Sequence, residues 1–162
     1  MVLHDFWIFF IWLTVAGLAV VGIYQLLLLI LRARGVFVTR TKFGLTMIFD
    51  SEDADGTPIR LLNVNGTFQS VSYIAPELRF ELCVHYHRMM AKVIQQVAPE
   101  GHVMVMGGGG FSLPKYLATH MKGAIIDAIE IDPKIVLLAR EHFFLDEALA
   151  TASSNLRVIE DD

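Results

Sequence analysis

The sequence predicts an α/β chain with an N-terminal transmembrane helix, then a small antiparallel β-sheet, then the first half of a parallel sheet, left incomplete. Three observations carry this reading. A long run near the start holds no charged residue. An Asn-Gly pair sits between two alternating segments. From His102 onward, short apolar segments alternate with helix-like segments in the order β-α-β-α-β.

The helix comes first. The chain is 54% hydrophobic over 162 residues, with a mean hydropathy of +0.52, and the excess lies at the front. From Phe6 to Leu31 only Thr14, Tyr24 and Gln25 are polar. Such a helix rises roughly 39 Å at about 1.5 Å per residue, more than the ~30 Å hydrocarbon core, so it spans with some tilt. A signal peptide would open on Lys or Arg and end at small residues. Here Met1-Val2-Leu3-His4-Asp5 precedes the run and Arg32-Ala33-Arg34 follows it. A buried core helix would keep a polar face. Arg32, Arg34, Arg40 and Lys42 follow the helix, and the positive-inside rule then places the N-terminus outside and the rest in the cytoplasm. A single-pass protein of a bacterial inner membrane is expected, with the lipid membrane as a partner. The lone Cys83 suits a reducing compartment. The net charge of −4 leaves no footprint for nucleic acid.

Three domains are expected: residues 1–35 as anchor and basic flank, 36–75 as the small β-sheet, and 76–162 as the parallel-sheet half. Phe43 to Asp50, Ile59 to Val64 and Thr67 to Tyr73 read as strands. Asn65-Gly66 marks a hairpin because both residues tolerate positive φ. Ser51 to Leu62 places Asp53, Asp55 and Gly56 in phase with a calcium loop. Its first and last ligand positions hold Ser51 and Leu62, so a solvated hairpin loop is the better reading. Pro76 to Val97 reads as one helix, Pro76 suiting its first turn. On it Cys83 and His87 would share a face, but two ligands make no zinc site, and no metal is expected.

His102 to Met106, Ala124 to Ile131 and Leu156 to Glu160 read as parallel strands covered on both faces. Helices from about Leu113 to Met121 and from Pro133 to Phe143 lie between them. Gly107, Gly108, Gly109 and Gly110 join the first strand to its helix. Glycines let the backbone turn tightly and approach a ligand, and the helix N-terminus offers unpaired N–H groups. Glu130 ends the next strand, where a carboxylate can accept ribose hydroxyls. The order strand, glycines, helix, strand, acid points to a nucleoside ligand. A dinucleotide pattern wants a third glycine where Ser112 stands, which favours an S-adenosyl-type ligand over NAD.

These residues resemble the spermidine synthase family of polyamine aminopropyltransferases, from about Phe43 to Asp162. Thr67-Phe68-Gln69-Ser70 resembles the strand ending that family's small domain. Tyr86-His87 resembles its Tyr-His pair. The four glycines resemble its glycine motif, and Ile129-Glu130-Ile131-Asp132-Pro133 its second-strand motif. Val158-Ile159-Glu160-Asp161-Asp162 resembles its third-strand end. The resemblance implies a Rossmann-like, methyltransferase-type second domain. It implies that Gln69, Tyr86, His87, the glycines 107–110, Glu130 and Asp162 hold S-adenosylmethionine or its decarboxylated form as a substrate. It implies aminopropyl transfer to an amine in polyamine biosynthesis.

Two departures follow. Gly110 stands where the family usually has an Asp that meets the aminopropyl amine. The family's proton-accepting Asp lies on the next strand, past Asp162, so no catalytic residue is assigned, and this truncated chain is expected to be inactive. Two alternatives stay open: an S-adenosylmethionine-dependent methyltransferase, and a non-catalytic module binding a nucleoside or a partner. A homo-oligomer is a further candidate partner.

Overall fold

In the computed structural model, residues 2–151 and 155–161 are described. The chain forms two compact units, one up to Val38 and one from Thr39 onward.

The first unit is essentially helix α1 (Val2–Ala33). Its apolar side chains stay exposed along its length, Trp12 and Leu18 at 68% each. Its segment Phe6–Ala33 is long and apolar enough to cross a membrane. The same length and composition also occur in signal sequences.

The second unit holds two sheets. Strands β1 (Phe37–Thr41), β2 (Gly44–Glu52), β3 (Pro58–Val64) and β4 (Thr67–Tyr73) lie in the order β1-β2-β3-β4. β2, β3 and β4 pair antiparallel. The Asn65-Gly66 turn forms as expected, with φ of 49° and 83°. Asn65 also caps the neighbouring turn, accepting from Leu45 N–H and donating to the Phe43 carbonyl. In the Ser51–Leu62 stretch, Asp53 Oδ1 accepts from the backbone N–H of Asp55 and Thr57, which closes the loop. Strand β1 falls within the 36–75 range expected to be β-sheet, although no separate strand was assigned there. Its Arg40 and the adjoining Lys42 read as a topology signal, while Val38, Thr39 and Thr41 carried the β-branched signal.

The expected helix from Pro76 is corrected. Residues 76–80 form successive turns and 81–84 continue without helix, Leu78 N–H bonding Ala75 O and Glu81 N–H bonding Leu78 O. Helix α2 (His85–Val97) starts only at His85. Leu82 is buried and Phe80 packs on the same core, a spacing of two that a helix cannot present to one surface. Arg79 ties the segment down through Glu147. Cys83 therefore precedes the helix and does not share a helical face with His87.

The parallel sheet has the order β5-β6-β7, from β5 (His102–Met106), β6 (Ile125–Glu130) and β7 (Leu156–Glu160). Helices α3 (Ser112–His120), α4 (Pro133–His142) and α5 (Leu145–Thr151) connect them. Helix α5 was missed, although Leu145 and Ala148 fall three apart behind Asp146 and Glu147, a short amphipathic start. Ile126 and Ala128 share one core with Leu117 of α3, Val136 and Ala139 of α4, and Leu145 and Ala148 of α5. The other face is not covered among the described residues, contrary to the expectation of cover on both. There Met104 and Met106 stand 60% and 80% exposed, beside Ile125. On that face Arg157 of β7 grips Asp127 of β6 through two hydrogen bonds of 2.6 and 2.7 Å. His102 of β5 meets Asp127 from the other side at 2.6 Å. Arg157 first, then His102, holds the Asp127 carboxyl below the usual carboxylate range.

The two sheets are joined by buried groups. Ile48, Leu62 and Val64 pack on Ile135, Leu138 and Phe143. Arg60 pairs with Asp50 and donates to His142 O. Ser112 Oγ donates to Val71 O at 2.9 Å and lies within hydrogen-bond distance of Ser70 and Ser72.

Candidate functional site

The strand-to-helix connection after β5 is built from backbone that only glycine adopts easily. Gly107 and Gly109 have φ of 87° and 52°. Gly107 N–H still bonds Ile129 O, so the loop leaves the sheet at that residue. Phe111 closes the turn in the left-handed region at φ 55°, its N–H on Gly108 O, its ring fully buried. A Cβ on Gly108 would fall 2.3 Å from that ring, so the aromatic wedge fixes the loop from beneath. The first turn of α3 then presents its N-terminus, where Ser112 and Leu113 have no helical acceptor and Pro114 has no N–H.

Glu130, at the end of β6, meets this loop. Its Oε2 accepts from Gly108 N–H at 2.8 Å and Gly109 N–H at 3.2 Å. Its Oε1 accepts from Asp132 N–H at 3.1 Å. The side chain is 6% exposed. With two lone pairs per oxygen, Oε2 is filled and Oε1 keeps one acceptor position for a hydroxyl. Asp132, next in the motif, is a scaffold residue. It caps α4 through Lys134 N–H and accepts from Lys42 N–H at 2.6 Å.

Gln69 arrives by a different device. Leu62 pairs with Ser70 and Asn63 with Phe68, so Gln69 is the extra residue of a β-bulge in β4. A bulge re-aims a side chain beside a site. The Gln69 carbonyl lies 3.3 Å from where a Gly109 Cβ would stand, so glycine is what allows β4 and the loop to approach.

These parts surround a cavity of about 650 Å³, within the range of small-molecule sites. Gln69, Tyr86, His87, Gly107, Gly108, Gly109 and Glu130 all line it. So do residues that sequence reasoning passed over, among them Phe43, Asn65, Met90 and Ile131. Asn65 had been assigned only to its turn, and Phe43 only to a strand. Tyr86 and His87 lie with ring centroids 4.2 Å apart. His87 Nδ1 is sealed from solvent with no hydrogen-bond partner. Burial lowers the His87 pKa, disfavouring a charge on the ring. Gly110 does not line the cavity. A side chain there would meet Ser70 Oγ at 2.6 Å and Phe143 at 2.9 Å. Asp162 lies outside the described residues.

The crowding at Gly110 has a measurable consequence. Gly110→Asp should destabilise the chain by about 1–3 kcal/mol through overpacking, without adding a carboxylate to the cavity. Thermal unfolding of the variant checks this; unchanged stability would mean that Ser70 and Phe143 give way.

No family model matches the chain, and no curated protein matches it by sequence. The architecture is an antiparallel sheet followed by a three-stranded parallel sheet with the site at its strand ends. Solved structures share the fold. A probable spermidine synthase from Corynebacterium glutamicum ATCC 13032 matches with a TM-score of 0.57 and 18% identity, over 78% of this chain and 44% of that one. A spermidine synthase in complex with the transition state analogue AdoDATO matches at 0.54 and 17% identity, over 78% and 41%. The enzyme from Thermotoga maritima matches at 0.52 and 18%, over 78% and 41%. At these identities the likeness shows the fold. The chain spans less than half the length of each of these structures.

Proposed function

We propose that this chain carries the nucleoside-binding part of a membrane-tethered, spermidine-synthase-like transferase. Its cavity takes S-adenosylmethionine or its decarboxylated form as a substrate, and the reaction served is aminopropyl transfer to an amine. The observation that supports this best is the pinned glycine loop: Glu130 holds Gly108 and Gly109 and keeps one open acceptor position at the rim of a nucleoside-sized cavity. The fold shared with spermidine synthases, one of them in complex with AdoDATO, supports the ligand class. By itself the chain has no turnover in this reading. Among the described residues lining the cavity Glu130 is the one carboxylate, and both of its oxygens are engaged by backbone N–H groups. In this reading helix α1 is the anchor, and the cations Arg32, Arg34, Arg40 and Lys42 after it support a cytoplasmic second unit.

A second reading is methyl transfer from S-adenosylmethionine. It is favoured by Gly110, where packing leaves no room for the acid that would mark an aminopropyltransferase. Isothermal titration of the chain in lipid nanodiscs with both sulfonium nucleosides and methylthioadenosine separates the readings. Tighter binding of the decarboxylated form is expected. Preference for the carboxylated form would favour methyl transfer, and no heat with any of the three would overturn the nucleoside reading.

A further inference from the structure

Phe43 belongs to the turn between β1 and β2, and that turn is gripped from both ends. Lys42 N–H donates to Asp132 Oδ2 at 2.6 Å, a carboxylate 90 residues further along the chain. The Phe43 carbonyl accepts from Asn65 Nδ2 at 2.7 Å, and Leu45 N–H donates to Asn65 Oδ1 at 3.1 Å. Gly44 sits between these grips at φ 122°, and a Cβ there would fall 2.3 Å from Asn65 Oδ1. A β-turn closes through its own backbone and needs no distant carboxylate to reverse the chain. A bond from a backbone N–H to a carboxylate is among the strong ones, so the grip at Lys42 fixes the turn in place. Asp132 is 3% exposed and serves a second group as well. Its own N–H donates to Glu130 Oε1, while its Oδ1 caps α4 through Lys134 N–H. One residue thus joins the turn that carries Phe43 to the carboxylate that holds the glycine loop. Phe43 and Glu130 both line the cavity, and the Phe43 side chain is 51% exposed, with surface left for a ligand.

We propose that Asp132 is a positioning residue of this cavity: it fixes the Phe43 turn relative to Glu130, so that a nucleoside held at its ribose also meets the Phe43 ring. The proposal rests on the nucleoside reading of the site. Its physical content is preorganisation, because a turn already fixed costs no ordering when the ligand arrives. Phe43 then contributes to binding only while Asp132 holds Lys42.

The test is a double-mutant cycle on the full chain in nanodiscs, built on Asp132→Ser. Serine keeps the helix cap, since its hydroxyl accepts from Lys134 N–H, and the backbone bond to Glu130 is untouched. With one side-chain oxygen in place of two, it leaves Lys42 N–H without its acceptor. Methylthioadenosine is titrated against the wild type, Phe43→Ala, Asp132→Ser and the double variant, at a temperature where all four are folded. Phe43→Ala should weaken binding about fivefold to tenfold, and Asp132→Ser by a similar factor. In the Asp132→Ser background, Phe43→Ala should cost less than about twofold more, the mark of coupled residues. A purely structural Asp132 would lower the unfolding temperature without this coupling. Equal losses from Phe43→Ala in both backgrounds would overturn the proposal, and so would an affinity that Phe43→Ala leaves unchanged. Hydrogen exchange without ligand adds a second reading. Exchange at the Lys42 amide should quicken about tenfold or more in Asp132→Ser, and an unchanged rate there would also overturn the proposal. Binding without coupling sinks the positioning role alone, whereas no binding by the wild type sinks the nucleoside reading and the positioning role with it.

Discussion

Replacing Glu130 by glutamine is expected to weaken binding of an S-adenosyl nucleoside ten- to a hundredfold. A hydrogen bond to a charged group contributes about 1.5–3 kcal/mol, and the glutamine loses the charge. It also loses an acceptor. The carboxylate receives Gly108 and Gly109 N–H on one oxygen and Asp132 N–H on the other. An amide must turn its NH₂ toward one of these donor sets, leaving buried N–H groups facing a donor at about 1–3 kcal/mol. Glu130→Gln should therefore lower the unfolding temperature as well as the affinity. Titration at a temperature where the variant is folded separates the two effects. Unchanged affinity in a folded variant would remove Glu130 from the ribose.

Stability should rise with pH between about 7 and 9. Lys115 is fully buried in α3, where Nζ donates to Phe143 O. Burial lowers its pKa from 10.5 to about 7. Between those values the unfolded chain binds a proton that the folded chain does not, so stability increases as pH rises. The slope is about 1.4 kcal/mol per unit, or about 2 kcal/mol from pH 7 to 9. Above pH 9 the profile levels off, because Cys83, raised by burial from 9.0 to about 11, acts in the opposite sense and offsets Lys115 up to 10.5. Below pH 6.5, His87 and His142, both lowered by burial, make stability fall as the pH drops. Thermal unfolding from pH 6 to 10 should show stability rising to about pH 9 and levelling off above it, and Lys115→Met should flatten the rise between 7 and 9. A wild-type profile flat over that interval would mean that Lys115 stays charged in the fold.

The sequence revealed what depends on local chemistry. Asn65-Gly66 makes its turn, the glycines leave β5 where the apolar run ends, and Glu130 closes β6 beside them. What it hid depends on partners distant in the chain. Pro76 and the apolar residues after it resemble a helix start until Phe80 and Leu82 are seen to enter the core. Nothing local to Lys115 announces its burial, which depends on the Phe143 carbonyl 28 residues on. Gln69 reaches the cavity through a bulge that no strand periodicity announces. Gly110 looks equivalent to its three neighbours, yet Ser70 and Phe143 close around it while Gly107, Gly108 and Gly109 line the cavity.

The central claim is that Glu130 and the glycine loop hold the ribose of an adenine nucleoside. It is tested most directly by titrating the chain with methylthioadenosine and with its 2′-deoxy and 3′-deoxy analogues. One acceptor position remains on Glu130 Oε1, so removal of the hydroxyl that uses it should weaken binding about tenfold or more. Equal affinity for all three nucleosides, or no binding of methylthioadenosine at all, would contradict the account.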